Sequence, residues 1–413
     1  MFRKVIIGIM TLGTLAFAGC AEDKDSKGSG EALKLGAAFA FTGPLAPEGL
    51  ECEQASDLAV SQINAAGGIL GQNLSLVKRD TQTNPALCGD IATDLIQNQN
   101  VPVIFGALSS GCTSNILDVA VPAKVLTGSA VSLSTSLTYA RENNGLFFRT
   151  IGASYDAMRA LAEEIVDAGY TTVTVIASDN RFTASSSDDF IAAFGALTCG
   201  STPCTVNLRH DYSETIDPNT YDFAADMTTI MAAGSDAIFF NGYPEDGLGF
   251  LQAALAAGYT GTPYISVPMA NNIGGFLDAA TAAKVRWIYA PPYSGQSYNA
   301  FKASYESTYK IELASSRISE QAYDLVMIVA LAMVKAGTVT DGAAIAAAIR
   351  DVSNPPGQLV YSNQYAQIVQ LIESGADVDY VGASGSCDIN ERGDAEIVQQ
   401  MMGYVNGVPT PVN

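Results

Sequence analysis

Ala55, Leu58, Ala59 and Ile63 recur at spacings of three and four, the apolar stripe of one helix. Gly67 and Gly68 follow, and glycine takes the left-handed conformation that ends a helix. Leu74 to Asp80 then reads as a strand, and Asp80-Thr81-Gln82-Thr83-Asn84-Pro85 as the approach to the next helix. The same alternation continues along the chain. Strands are predicted at Leu33–Phe39, Leu74–Asp80, Pro102–Phe105, Val125–Ser129, Thr172–Ala177, Thr205–Asp211, Ala237–Asn241 and Tyr264–Val267. Helical patterns lie between them, as at Tyr155–Ala168, Asp188–Leu197, Phe223–Ala233 and Gly247–Ala257. Two long helices, Ser297–Ile311 and Ser319–Lys335, come after Trp287, and Asn354-Pro355-Pro356-Gly357 breaks the helical run that follows. Strand–helix alternation implies an α/β protein with parallel sheets and helices on both faces. The pattern restarts after Phe147-Phe148-Arg149-Thr150, which reads as a crossover between two such units.

The amino terminus changes the picture from a plain globular chain to an exported one. Arg3 and Lys4 precede a mostly apolar run, Val5 to Ala18, too short for a membrane span of about 20 residues. It fits the core of a secretory signal. Phe17-Ala18-Gly19-Cys20 resembles a bacterial lipobox, although Phe stands where Leu is usual. That resemblance implies a signal peptide over 1–19, lipidation of the Cys20 thiol and a lipid-anchored extracytoplasmic protein; an ordinary signal peptide cut nearby is the plainer alternative. Asp23 to Glu31 is polar and rich in Gly and Ser, as a flexible tether should be, so 20–31 reads as a lipidated tether. The formal charge is −21, near −23 once Arg3 and Lys4 are removed. That excess argues against nucleic acid, which rewards clustered Lys and Arg, and is otherwise a source of solubility.

Besides Cys20 there are six cysteines, an even number that suggests disulfides in an exported protein. Six allow fifteen pairings, so the sequence does not choose among them. Cys199 and Cys204 close a short loop. Cys52 and Cys88 begin the first two helices and are expected to pair, which leaves Cys112 with Cys387. Zinc has little support, with no Cys-x-x-Cys and a single histidine, His210.

The run Ile63-Asn64-Ala65-Ala66-Gly67-Gly68-Ile69-Leu70-Gly71, with Asp80-Thr81-Gln82-Thr83-Asn84-Pro85 after it, closely resembles the first unit of the leucine/isoleucine/valine-binding protein family, the type I periplasmic substrate-binding proteins. The segment Tyr380-Val381-Gly382-Ala383-Ser384-Gly385 through Asp388, Asn390 and Gly393-Asp394 resembles that family's closing β-segment in the second lobe. The resemblance covers nearly all of 33–410. It implies the type I periplasmic-binding-protein fold: two doubly wound parallel-sheet lobes joined by a multi-strand hinge, here 32–151 with 288–375 and 152–287 with 376–413. It also implies a solute-capturing clamp with no cofactor, monomeric, serving the membrane permease of an ABC-type importer of the branched-chain amino acid kind. A component presenting its ligand to a separate signalling receptor is the alternative.

In open parallel sheets ligands sit beyond the carboxyl ends of strands. The loop Gly106-Ala107-Leu108-Ser109-Ser110-Gly111 opens a helix there, and a helix start favours an anion. The family resemblance implies that this loop grips an α-carboxylate through Ser110, with Ser109 its neighbour; both serines otherwise merely cap the helix. In the next loop, 129–135, Leu133 stands where the family usually has Thr, so only backbone groups of Val131 and Leu133 remain to serve the ligand. Phe182 and Tyr243 match positions of aromatic residues that cover the ligand; core packing is their other reading. Ser266-Val267-Pro268-Met269 lacks the acid that commonly pairs with the ligand ammonium. A buried ammonium needs a counter-charge. Glu48, Asp179 and Glu245 are the candidates, each of a type more often found on a solvated surface. An enzyme reading has little to stand on: His210 lies on a strand without a nucleophile elbow, and no phosphate loop occurs.

Overall fold

A computed structural model describes residues 32–267, 270, 277–291, 293–314 and 316–412. Cys20, the leader and the tether lie outside these residues, as do Pro268 and Met269. Two main sheets organise the chain. The first has five parallel strands in the spatial order Leu74–Asp80, Leu33–Phe39, Val103–Gly106, Leu126–Ser129, Phe147–Arg149. The second runs Val408–Pro411, Gln400–Val405, Arg286–Tyr289, Pro263–Ile265, Ala237–Asn241, Thr172–Ser178, Thr205–Tyr212, parallel except for Gln400–Val405, which is antiparallel to both its neighbours. Central strands such as Val103–Gly106 and Ala237–Asn241 are buried along their whole length, as helices on both faces require.

Strand order in the first sheet decides which helices meet. From the first strand the chain steps one way, to Leu74–Asp80, then back past it to Val103–Gly106. Right-handed crossovers therefore put the helix Ala46–Ala65 on one face and the helices Pro85–Thr93 and Ser110–Ala120 on the other. The packing agrees: Cys52, Ala55 and Ile63 belong to one core cluster, and Cys88, Cys112 and Ile116 to another. This corrects the cysteine pairing. Cys88 is bonded to Cys112, Cα atoms 5.2 Å apart, and Cys199 to Cys204 as expected. Cys52 and Cys387, expected to pair with Cys88 and Cys112, are free and buried. Alkylation of unfolded, unreduced protein should therefore label Cys52 and Cys387 and spare Cys88, Cys112, Cys199 and Cys204. Peptide mapping that finds label on Cys88 or Cys112 would contradict the assignment.

The helix Ile318–Ala336 is buried from Ile318 to Val334 and packs along Ala46–Ala65. Tyr323 donates its hydroxyl to Gln62 Oε1 at 2.6 Å, and Tyr305 donates to Gln54 Oε1 at 2.6 Å, so the long C-terminal helices close on the first sheet's core. The closing segment differs from expectation. Val378–Gly382 pairs with Gln358–Tyr361 and Gly385–Ser386 in a separate three-stranded sheet, and Tyr380, Ala383 and Ile389 join the first sheet's core. The chain reaches the second sheet only at Gln400–Val405.

The helix expected at Asp188–Leu197 starts earlier, at Arg181, capped by Asn180 Oδ1, which accepts from the N–H groups of Phe182 (3.0 Å) and Thr183 (3.1 Å). Its first turns hide Thr183, Ser186 and Ser187 in the interior, where Asn241 Nδ2 donates to the Thr183 carbonyl and the Ser186 and Ser187 hydroxyls. Buried polar residues gave no apolar stripe to read.

Candidate ligand-binding cleft

Both sheets reverse their strand order, the first beside Leu33–Phe39 and the second beside Thr172–Ser178. Loops diverge at such points and leave a crevice beyond the strand ends. A narrow cleft opens there, among the loops of the two sheets. Ser109, Ser110, Val131, Leu133 and Glu48 line it from the first sheet, and Phe182 and Tyr243 from the second. Seven of the nine residues singled out in the sequence therefore meet in one place. Asp179 and Glu245 do not: both are exposed and line no part of this cleft.

Each of the seven is placed by local chemistry. Ser109 is the N-cap of Ser110–Ala120, its Oγ accepting from Cys112 N–H at 3.3 Å. The Ser110 Oγ instead accepts from Ser134 N–H at 3.1 Å, tying the two loops together while keeping a hydroxyl proton to give. More hydroxyls close the same seam: Ser129 Oγ donates to the Ala107 carbonyl (2.8 Å), Ser132 Oγ to the same carbonyl (3.0 Å), and Thr113 Oγ1 and Ser132 Oγ lie 2.6 Å apart. Val131 N–H is engaged by Ser129 Oγ (3.3 Å), and the Leu133 carbonyl accepts from Ser154 N–H (2.8 Å). Of the backbone groups expected to serve a ligand, the Val131 carbonyl and the Leu133 N–H remain unengaged among the described residues.

Glu48 sits in the first turn of Ala46–Ala65 and is only 5 % exposed. Gly49 makes that possible, since a Cβ there would lie 1.7 Å from the Ala40 carbonyl oxygen. The helix thus comes down on the end of the first strand and carries Glu48 into the cleft wall. Tyr243 is the N-cap residue of Pro244–Ala256. Burial pushes its phenol above the usual range, and the charges of Glu214, Asp246 and Glu48 push it further, so the hydroxyl stays protonated and able to donate. Phe182 is both buried and part of the cleft wall, which unites its two readings.

Six further residues line it: Leu108 and Val267, which lie inside loops already read as cleft segments, and Leu45, Ile151, Tyr289 and Ile318, which were assigned no role. Ile151 adjoins the crossover segment 147–150. Tyr289 ends a strand, Arg286–Tyr289, whose short pattern carries no turn signal, and Ile318 opens the buried helix after Arg317, which holds a left-handed conformation (φ 65°). The wall is therefore largely aliphatic and aromatic, with a serine-rich helix start at one place and a buried carboxylate at another.

The loop 132–134 rests on a residue read only as a crossover. Arg149 is fully buried; its Nε donates to Asp394 Oδ1 (2.7 Å) and its terminal nitrogens to the carbonyls of Ser132 (2.7 Å) and Ser134 (3.0 Å) and to Thr138 Oγ1 (2.9 Å). His210 has a structural place, with Nε2 3.3 Å from Asp226 Oδ2 and its ring edge-on to Phe250.

Among the described residues no helix is long and apolar enough to cross a membrane. The model of the periplasmic binding protein family matches residues 32–383. The chain is 24 % identical over 376 residues to the chemotactic signal transduction system substrate-binding protein BasB of Halobacterium salinarum, covering 87 % of this chain and 84 % of that one. It is 24 % identical over 380 residues to Leu/Ile/Val-binding protein homolog 3 of Brucella melitensis, covering 88 % and 94 %. The crystal structure of the leucine-binding protein LivK of Thermotoga maritima superposes with a TM-score of 0.75 at 21 % identity, over 92 % of this chain and 98 % of that one. The fold, the cleft at the strand ends and the match along most of its length make this chain a member of the type I periplasmic binding protein family of leucine/isoleucine/valine-binding proteins, a substrate-binding protein and not an enzyme.

Proposed function

We propose that this protein is the extracytoplasmic solute receptor of an ABC-type importer, lipid-anchored through Cys20, and that it captures a small amino acid or a related carboxylate or amide. The observation that carries the reading is the composition of the cleft: a helix start with the Ser110 hydroxyl, an apolar wall, and Glu48 buried in the same wall. A carboxylate suits the first, an aliphatic or aromatic body the second, an ammonium the third. In this reading the first lobe is 32–151 with 288–389, and the second is 152–287 with the C-terminal strands at 400–411. One lobe holds the ligand first; Phe182 and Tyr243 cover it on closure, a population shift stabilised by contacts made only in the closed state. The ligand then passes to a membrane permease. The likeness to BasB, named for a chemotactic system, favours a second use in which the loaded clamp is read by a separate signalling protein.

Calorimetry with single ligands tests both ends of the site. Ser110→Ala should weaken every carboxylate by about 1.5–3 kcal/mol, roughly ten- to a hundredfold. Glu48→Gln should cost a similar factor for amino acids and leave ammonium-free carboxylates unaffected. Leucine that binds tightly and equally to both variants would refute this account of the cleft.

A further inference from the structure

The loop 129–135 leaves the first sheet and ends against the second. The Leu133 side chain packs with the core of the second sheet, and the Leu133 carbonyl accepts from Ser154 N–H. Two residues on, Thr135 Oγ1 donates to Asp189 Oδ2 at 2.7 Å. Asp189 lies in the middle of the helix Arg181–Ala196, whose Phe190 and Phe194 pack on the second sheet. The same Oδ2 accepts from Ser154 Oγ at 3.3 Å, and the Thr135 and Ser154 hydroxyls are 3.1 Å apart. Ser154 opens the helix Ser154–Asp167, just after the crossover. One carboxylate oxygen therefore gathers a hydroxyl from a loop of the first sheet and another from beyond the crossover. Thr135 and Ser154 are buried, and Asp189 is half-buried.

The helix itself does not account for this acid. Aspartate is a weak helix former, and a half-buried charge is costly. Its neighbour Asp188 is exposed and pairs with Arg209 at 2.5 Å, whereas Asp189 has no ion-pair partner among the described residues. Burial raises its proton affinity, and the two hydroxyls oppose that rise. What the acid gains is a contact between the two sheets' segments, and that contact is aligned with the ligand site. Asp189 follows Phe182 by about two turns, so both project from one face of the helix. Phe182 is part of the cleft wall, while Asp189 and Thr135 line none of it. Next to Thr135, Ser134 N–H donates to Ser110. We propose that Asp189 is a positioning residue for ligand capture: by taking the Thr135 hydroxyl it latches the two lobes together and fixes Phe182 over the cleft, without touching the ligand. This role presupposes the two-lobe reading of the cleft.

A latch and a ligand contact differ in what they discriminate. Leucine and isocaproate, the same acid without its ammonium, should both bind Asp189→Ala roughly tenfold more weakly than the parent, because the closed state is less populated. Calorimetry gives the affinities, and stopped-flow kinetics should place the loss in faster release. Thr135→Val should act alike, and the double variant should be no worse than either single one. Asp189→Asn, which keeps an acceptor, should recover part of the affinity. Small-angle scattering of the ligand-free protein should give a larger radius of gyration for Asp189→Ala and Thr135→Val than for the parent. The proposal is overturned by weakening of only one of the two acids, which would make Asp189 a ligand contact, by additive losses in the double variant, or by identical radii in the parent and both variants. Should neither acid bind the parent, the cleft reading fails, and the scattering alone decides the latch.

Discussion

Asp394→Ala lowers the free energy of unfolding by about 3–5 kcal/mol, the cost of leaving a buried charge without its partner. The physical case is direct. Arg149 is fully buried and Asp394 is 2 % exposed, so water cannot replace the lost carboxylate. The guanidinium would keep its bonds to the Ser132 and Ser134 carbonyls and lose the charge that offsets its burial, which already depresses its proton affinity. The effect also reaches the cleft, because the same guanidinium holds the loop that donates Ser134 N–H to Ser110. Urea denaturation followed by fluorescence measures the loss, and calorimetry the accompanying fall in ligand affinity. The paired change Arg149→Met with Asp394→Leu separates the two consequences. It should recover only the part lost to the unpaired charge, since the Ser132 and Ser134 carbonyls now lose their donors, and recover none of the loop anchoring. An Asp394→Ala protein as stable as the parent would show that the pair contributes little.

Stability should fall as pH rises from 5 to 8, against the habit of proteins rich in surface carboxylates. Two buried glutamates set the direction. Burial raises Glu51 to about 7, assisted by the Glu48 charge and opposed by the hydroxyls of Ser316 and Ser319. Burial raises Glu320 to about 7 as well, with Arg317 opposing and the Glu51 and Asp324 charges assisting, and Glu320 Oε2 has no hydrogen-bond partner among the described residues. Both groups hold their proton more tightly folded than unfolded. Their contribution is therefore fully present below about pH 4.5 and is lost as pH passes through 7. Each shift corresponds to about 3 kcal/mol as an upper limit, and the two share part of that through their mutual repulsion. The aspartates held below their usual range, such as Asp80 and Asp236, act in the opposite sense but only at lower pH. Denaturation midpoints between pH 5 and 8 give the slope, and Glu51→Gln with Glu320→Gln should flatten it. A slope that survives both substitutions would assign it to other groups.

Much of the frame was legible because it is local. Leu33–Phe39, Leu74–Asp80 and Ala237–Asn241 came out at their observed limits, since each is an extended run closed by polar or turn-forming residues. The seven cleft residues were legible for a related reason. Each follows or caps the end of a strand or the start of a helix, and in a parallel sheet those ends gather on one side. Glu48 could be separated from Asp179 and Glu245 only by burial, which depends on how closely Gly49 lets its helix approach the Ala40 carbonyl.

The helix at Arg181 was read short because its buried Thr and Ser side chains satisfy one another and Asn241 in the interior, a solution that no hydropathy pattern displays. The partner of Cys88 was misread because it turns on strand order. Periodicity says that a helix has an apolar face but not which face of the sheet it covers, and the step from the first strand to the second and back past it put Cys52 and Cys88 on opposite sides. The pairing of Arg149 with Asp394 spans 245 residues, and the occupancy of the cleft wall by Tyr289 and Ile318 spans much of the same distance. Alternation of strand and helix, set residue by residue by backbone sterics and burial, was thus determined by the sequence alone. Which buried charges and sulfurs meet was decided by the order of the strands, because that order brings distant segments into contact and local propensity carries no record of it.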